Sequence, residues 1–244
     1  LERAWTPDLW KDPASEVERL ADALQADGSV LTETEEAETD FVELLTESPP
    51  PVTTMASLPE YKAWDGPMSL PPGGLADLDP QQMAALIWEA TAIEGPIHQD
   101  LLLLRLRASS GAARAGARIQ SAFGWGLDYA LKRGPLMAQG AFVMLAEQAS
   151  RPARSRAKRP AGERKAHWVP PHELEVSMEM TVAGSLGITA DQAALASWKL
   201  LGFQRTSPEM LQLASLAIEK LCRTGRLTKT GDLLSIPEAP PRQA

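Results

Sequence analysis

The chain has 244 residues, with 44 % apolar side chains but only 5 % aromatics, and 20 prolines and 17 glycines break it into segments. That length suits one or two domains, and the mixture points to compact helical pieces separated by extended connectors. A single cysteine, Cys222, excludes an intrachain disulfide framework and a thiolate metal site. No apolar run approaches the roughly 20 residues of a membrane span and no signal peptide is visible. The expectation is a cytoplasmic chain with Cys222 in a core.

The net charge of −8 hides a split. Residues 1–79 hold 18 acidic against 4 basic side chains, whereas residues 80–244 hold 14 against 20. Polyanions are attracted by the second part and repelled by the first.

Residues 1–26 carry one expected helix, from about Pro13 to Gln25. Val17, Leu20, Ala21 and Leu24 fall at helical spacing, and Asp12 before Pro13 supplies an N-cap and a proline at the first helical position. Trp5, Trp10 and one short helix cannot build a core, so this stretch reads as the end of a domain lying upstream. The chain starts with Leu1 and not Met, which fits a piece of a longer frame. Residues 27–77 read as an acidic, proline-rich linker: Thr32–Glu47 has seven acids and no base, and "SPPPV" and "LPPGG" impose extended backbone. A short helix around 40–45 fits the pattern. The segment is either a solvated connector or an acidic strip that docks on the basic half.

From Leu78 onward the chain repeats itself. Sliding it by 91 positions lays 78–145 over 169–236 without a gap: Pro80 meets Pro171, Ile97 meets Ile188, Asp100 meets Asp191, Gly111 meets Gly202, Arg114 meets Arg205, Gly134 meets Gly225 and Gly140 meets Gly231. Each copy predicts a helix opening at a proline, a short apolar segment, and a second helix over 99–108 or 190–200. A third helix over 116–132 or 208–223 and a hairpin with a central glycine follow. The expected fold is mainly α with small β wings: tandem winged-helix-like repeats at 78–150 and 169–237, joined by a flexible linker at 151–168 and followed by a disordered tail at 238–244. In a winged helix the third helix commonly enters the DNA major groove.

The cations that favour nucleic acid are Arg114 and Arg118 in front of the third helix and Lys132 and Arg133 behind it, with Arg205, Arg223, Arg226 and Lys229 in the second copy. The linker "RPARSRAKRPAGERK", with seven bases and one acid, adds Arg154, Arg156, Lys158 and Arg159 as a tether with sequence-independent phosphate affinity, or else as a solubilising connector. Glu209 stands opposite Arg118, so equal grip by both copies is not expected. Gly124 and Gly126 weaken the interior of the first copy's third helix. In "EGPIHQDLLLLRLR", His98 precedes an aspartate by two residues, as does Thr189, and reads as a helix cap rather than a catalytic group. The leucine run exceeds what the second copy has there, and the excess at Leu101 or Leu102 reads as a contact with the other copy or a parent enzyme.

"IEGPIHQDLLLLRLR", "ARAGARIQ" and "KLLGFQRTSPEM" strongly resemble, in order, the paired motifs of a bacterial family catalogued as domain of unknown function 3320, over about residues 75–237. "ERAWTPDLWKDPASEVERL" is similar to the closing segment of a restriction-endonuclease-like (Vsr-like) nuclease domain. In large bacterial superfamily 1 DNA helicases such a nuclease domain typically precedes this C-terminal family. The resemblance therefore implies the C-terminal piece of a helicase–nuclease, acting in DNA processing or defence against foreign DNA. The first copy departs from the family at Ala115 and Ala117, where Thr and Ser are usual, and the second has Ser207-Pro208-Glu209 in place of Gly-Ser-Arg.

No Walker A loop is present, the first segment lacks a metal-nuclease arrangement, and His98, His167 and His172 are scattered. The expectation is a chain that is not itself an enzyme and has no cofactor, metal or small-molecule ligand. It would bind and position duplex or forked DNA for the helicase and nuclease domains of the same polypeptide, without touching a membrane. The rival is a protein–protein module that docks onto the helicase body or a partner.

Overall fold

The computed structural model describes residues 57–66, 70–111 and 114–237. The helix expected near 13–25, the stretch 27–56 and the tail 238–244 lie outside the described residues.

The described chain is mainly helical, with two small antiparallel sheets of three strands. Its first half runs α1 (Pro80–Glu94), β1 (Ile97–His98), α2 (Gln99–Ser109), α3 (Ala117–Arg133), β2 (Leu136–Gln139) and β3 (Phe142–Leu145). The second half runs α4 (Pro171–Ala183), β4 (Ile188–Thr189), α5 (Ala190–Leu200), α6 (Pro208–Arg223), β5 (Thr228–Thr230) and β6 (Leu233–Ser235). Both sheets place the last strand in the middle, in the order β1-β3-β2 and β4-β6-β5. Ile97 faces Val143 and Ile188 faces Leu234, and likewise Ala138 faces Val143 and Lys229 faces Leu234. Each second-half pair lies 91 positions beyond its counterpart, so strand register follows the register of the sequence.

Local chemistry sets the helix ends. Asp79 caps α1 through a reciprocal box with Gln82, with Pro80 at the first helical position. Thr189 forms the same box with Gln192 at α5. His98 caps α2 by accepting from the Asp100 amide through Nδ1 at 3.2 Å, which requires a neutral ring protonated on Nε2. The hairpins turn at Gly140 (φ 58°) and Gly231 (φ 61°), where a side chain would strain the backbone.

Two cores form, one per half. The first gathers Met83, Ile87, Ile97, Leu102, Leu106, Phe123, Leu127 and Val143; the second gathers Leu174, Met178, Ile188, Trp198, Met210, Ile218, Leu221 and Leu234. Leu101 and Leu102 are buried within the first core, which corrects their expected role as a docking face. Leu102 falls where the second half has Ala193, so the extra volume fills the first half's own interior. Cys222 is half-buried against the second core.

The connection between the halves is packed, not a flexible linker. Ala153, just after the first half, is buried in the second core, while Trp168, just before the second half, is buried in the first. The path also crosses a third strand-like stretch: Tyr61 N–H donates to the Ser155 carbonyl at 2.9 Å and Ser155 N–H to the Pro59 carbonyl at 2.8 Å. Residues 57–66 therefore do not belong to a solvated connector. Tyr61 and Trp64 are buried in the first core and Leu58 packs against the second.

Charge explains why so basic a segment folds inward. Glu173 accepts from the Arg154 amide and guanidinium and from Arg156 Nη1 at 2.9 Å. Burial pushes the Glu173 carboxyl up, but Arg156 and Arg154 outweigh it and hold it below the ordinary range. Arg154 also donates to the Glu94 and Pro96 carbonyls, at 2.6 and 3.1 Å. Glu94, fully buried at the end of α1, accepts from Tyr61 Oη, the Trp64 amide and Arg105. Arg105 reaches on to Glu163, which Arg159 also holds. Among the described residues Glu94, Arg105, Arg154, Arg156 and Glu173 thus each have an opposite charge and directed hydrogen bonds, although Arg156 Nη2 is left without a partner.

Candidate nucleic-acid interface

The third helix of each half is amphipathic. α3 turns Ala122, Phe123, Gly126, Leu127 and Ala130 inward, and α6 turns Met210, Ala214, Ala217, Ile218 and Leu221 inward. The outward stripe of α3 holds Arg118, Ser121, Gly124, Trp125, Asp128 and Lys132, all exposed. On α6 the stripe holds Glu209, Gln212, Ser215, Leu216 and Glu219.

The twelve candidate cations separate into three groups. Arg154 and Arg156, 5 % and 4 % exposed, are enclosed with Glu173 and cannot meet a phosphate, which corrects the expected role of that segment. These two guanidinium groups neutralise the buried Glu173 carboxylate instead.

A second group is exposed or half-exposed but paired. Arg118 meets Asp77 at 2.9 Å, Lys132 meets Asp128 at 2.9 Å, and Lys158 meets Glu60 at 2.9 Å. Arg159 holds Glu163, and Arg226 bridges Glu175 and Glu179 from the end of α6 to α4. The exposed pairs of Arg118, Lys132 and Lys158 are worth at most about 1 kcal/mol each, so a phosphate competes with the acid for them at little cost. Arg159 and Arg226 instead hold carboxylates that are largely buried.

The third group carries no ion-pair partner among the described residues: Arg114, Arg205, Arg223 and Lys229, with Arg133 lying over the Tyr129 ring at 5.8 Å. Arg114 and Arg205 each stand two residues before the N-cap of a third helix, Gly116 and Ser207 respectively. Ser207 caps α6 by accepting from the Met210 amide at 3.3 Å, whereas Gly116 leaves the first amides of α3 without a side-chain cap. Open helix-terminal amides and a nearby guanidinium together suit an anion.

Two residues of this surface were not singled out by sequence. Trp125 is 66 % exposed and Leu216 is 61 % exposed. They occupy the same place on α3 and α6, 91 positions apart. The signal was present as apolar residues off the buried stripe at matching register, but periodicity alone does not say which apolar side chain faces out.

The histidines do not assemble a centre. His98 sits half-buried at the α2 cap, 5.4 Å from the Phe142 ring and 5.7 Å from His167, whose Nδ1 lies 3.0 Å from Glu209. Among the described residues no group of three or more His, Cys, Asp or Glu is placed to hold a metal ion, and no helix is long and apolar enough to cross a membrane.

Residues 76–121 match a family model described as "Protein of unknown function (DUF3320)", covering α1, β1, α2 and the start of α3. No curated protein and no solved structure matches the chain. The stretch from the Asp77 that pairs with Arg118 to the front of the third helix is thus similar to that family.

Proposed function

We propose that this chain is a non-catalytic DNA-binding and positioning module. Two winged-helix units in tandem would hold duplex or forked DNA for an ATP-dependent helicase–nuclease to which they are attached. The element order, helix, strand, helix, helix and hairpin in each half, supports the winged-helix reading, in which the third helix lies in a groove and the hairpin flanks it. One observation carries the DNA reading. Arg114 and Arg205 fall at the same register, both exposed, both without an ion-pair partner among the described residues, and both directly ahead of a third helix. Structural ion pairs have claimed many other arginines, yet these two remain available, and at the uncapped start of α3 a phosphate would also gain from the helix N-terminus.

The test is fluorescence anisotropy with duplex, forked and single-stranded DNA at several salt concentrations. The expected result is binding whose logarithm falls linearly with the logarithm of salt. No binding at low salt overturns the reading. The frame upstream of Leu1 tests the parentage: Walker motifs and a nuclease domain there are expected.

A second reading, docking onto a helicase body or another protein, is supported by the pairing of Arg118, Lys132, Lys158, Arg159 and Arg226 with acids. It expects DNA affinity indifferent to substitution of Arg114 or Arg205.

A further inference from the structure

Packing accounts for one of the two glycines in the middle of α3 and not for the other. A Cβ on Gly126 would come within 2.3 Å of Met83 Cγ, so close contact between α3 and α1 requires glycine there. Gly124 has nothing within 4 Å of the place its Cβ would occupy. A glycine inside a helix weakens it, and here no neighbour demands the absence of a side chain. The bare position lies next to Trp125, whose indole stands out into solvent.

The surroundings of that indole define what fits it. Its exposed helix neighbours are Ser121, Gly124 and Asp128, polar or bare, and Tyr129, one turn on, is half-buried with Arg133 over its ring. On the exposed stripe of α3 the indole is therefore the one aromatic face. Seven positions to either side along the same stripe stand Arg118 and Lys132, each about 10 Å away by helical rise. Both are exposed, and their acids Asp77 and Asp128 also lie open to solvent. A flat apolar group between two cations is the pattern that meets a nucleobase between phosphates.

We infer that Trp125 and Gly124 form a stacking ledge for one unpaired nucleobase of forked or single-stranded DNA, with Arg118 and Lys132 taking the flanking phosphates. The inference rests on the DNA reading above and adds the strand type and its contact. Leu216 stands at the same place on α6 but offers no ring face, and its neighbour Ser215 is not bare. The ledge thus belongs to the first half alone, and the single strand leaves the duplex on that side.

The experiment uses the 244-residue chain and compares a blunt duplex with the same duplex carrying an oligothymidine fork, by anisotropy at three salt concentrations. Trp125→Ala is expected to weaken fork binding about ten-fold and blunt-duplex binding less than two-fold, with the salt slope unchanged because no phosphate contact is lost. Trp125→Phe keeps a ring and is expected to retain most fork affinity. Gly124→Gln fills the bare position with a better helix former. It is expected to raise the thermal midpoint while weakening fork binding several-fold, an outcome a merely structural glycine would not give. If Trp125→Ala and Gly124→Gln leave fork affinity unchanged while the parent chain binds DNA, the ledge is overturned and the DNA reading stands. If the parent chain binds no DNA at low salt, both fall.

Discussion

Arg154, which follows the first half, and Glu173, in the first turn of the second half, close on each other as a buried ion pair 6 % and 1 % exposed at the side chain. The same guanidinium donates to the Glu94 and Pro96 carbonyls of the first half. One side chain therefore fastens both halves.

Glu173→Gln leaves Arg154 and Arg156 buried without an opposite charge. The expected loss is about 3–5 kcal/mol of unfolding free energy in urea titration. Exposed Lys158→Ala, which breaks only the pair with Glu60, is expected to cost less than about 1 kcal/mol in the same measurement. Equal losses would contradict the picture of a buried fastening.

Acid is expected to destabilise the chain in two stages. Burial first, then His167 and Lys165, hold the His98 imidazole below its ordinary 6.5, with Asp100 opposing. The unfolded chain therefore takes up a proton before the folded one as pH falls. The contribution of the neutral ring is complete above about 6.5 and is lost as pH drops through the folded value. Glu173 and Glu163 are held below 4.5, where burial pushes up but arginines prevail, so their contributions are lost only below 4.5. His98→Thr, which takes the residue found at the matching cap in α5, is expected to flatten the upper stage while leaving the lower one. Denaturation curves at pH 7.5, 6, 5 and 3.5 check this.

Arg114→Ala and Arg205→Ala are each expected to weaken binding uniformly across DNA sequences and to reduce the magnitude of the salt slope by about one. The double substitution at these distant sites is expected to be additive. Anisotropy against salt concentration supplies both numbers.

Gly202 and Gly111 occupy matching places after the second helix, with φ of 95° and 71°. A Cβ on Gly111 meets nothing, so Gly111→Ala carries only the left-handed backbone penalty of about 1–2 kcal/mol. At Gly202 a Cβ would lie 2.2 Å from the Ala157 amide nitrogen. Gly202→Ala is therefore expected to cost clearly more and to separate the 151–168 segment from α5, read as faster amide exchange at Arg156, whose N–H donates to the Leu201 carbonyl.

Element order, helix ends and strand register were legible in the sequence because they depend on near neighbours. Proline, glycine, cap residues and apolar spacing act within a few positions, and the 91-residue offset carried them from one half to the other. The cap at His98 was legible for the same reason. The fate of the cations was not. Seven basic residues in 151–165 look like a tether until the fold brings Glu173 to Arg154 and Arg156, and the Glu94 and Pro96 carbonyls to Arg154. Whether an arginine meets water, a phosphate or a buried carboxylate is decided by partners distant in the chain. The outward setting of Trp125 and Leu216 was likewise fixed by how α3 and α6 rotate against their cores. Local sequence determined the pieces, and long-range burial and charge pairing decided which of their surfaces remain available.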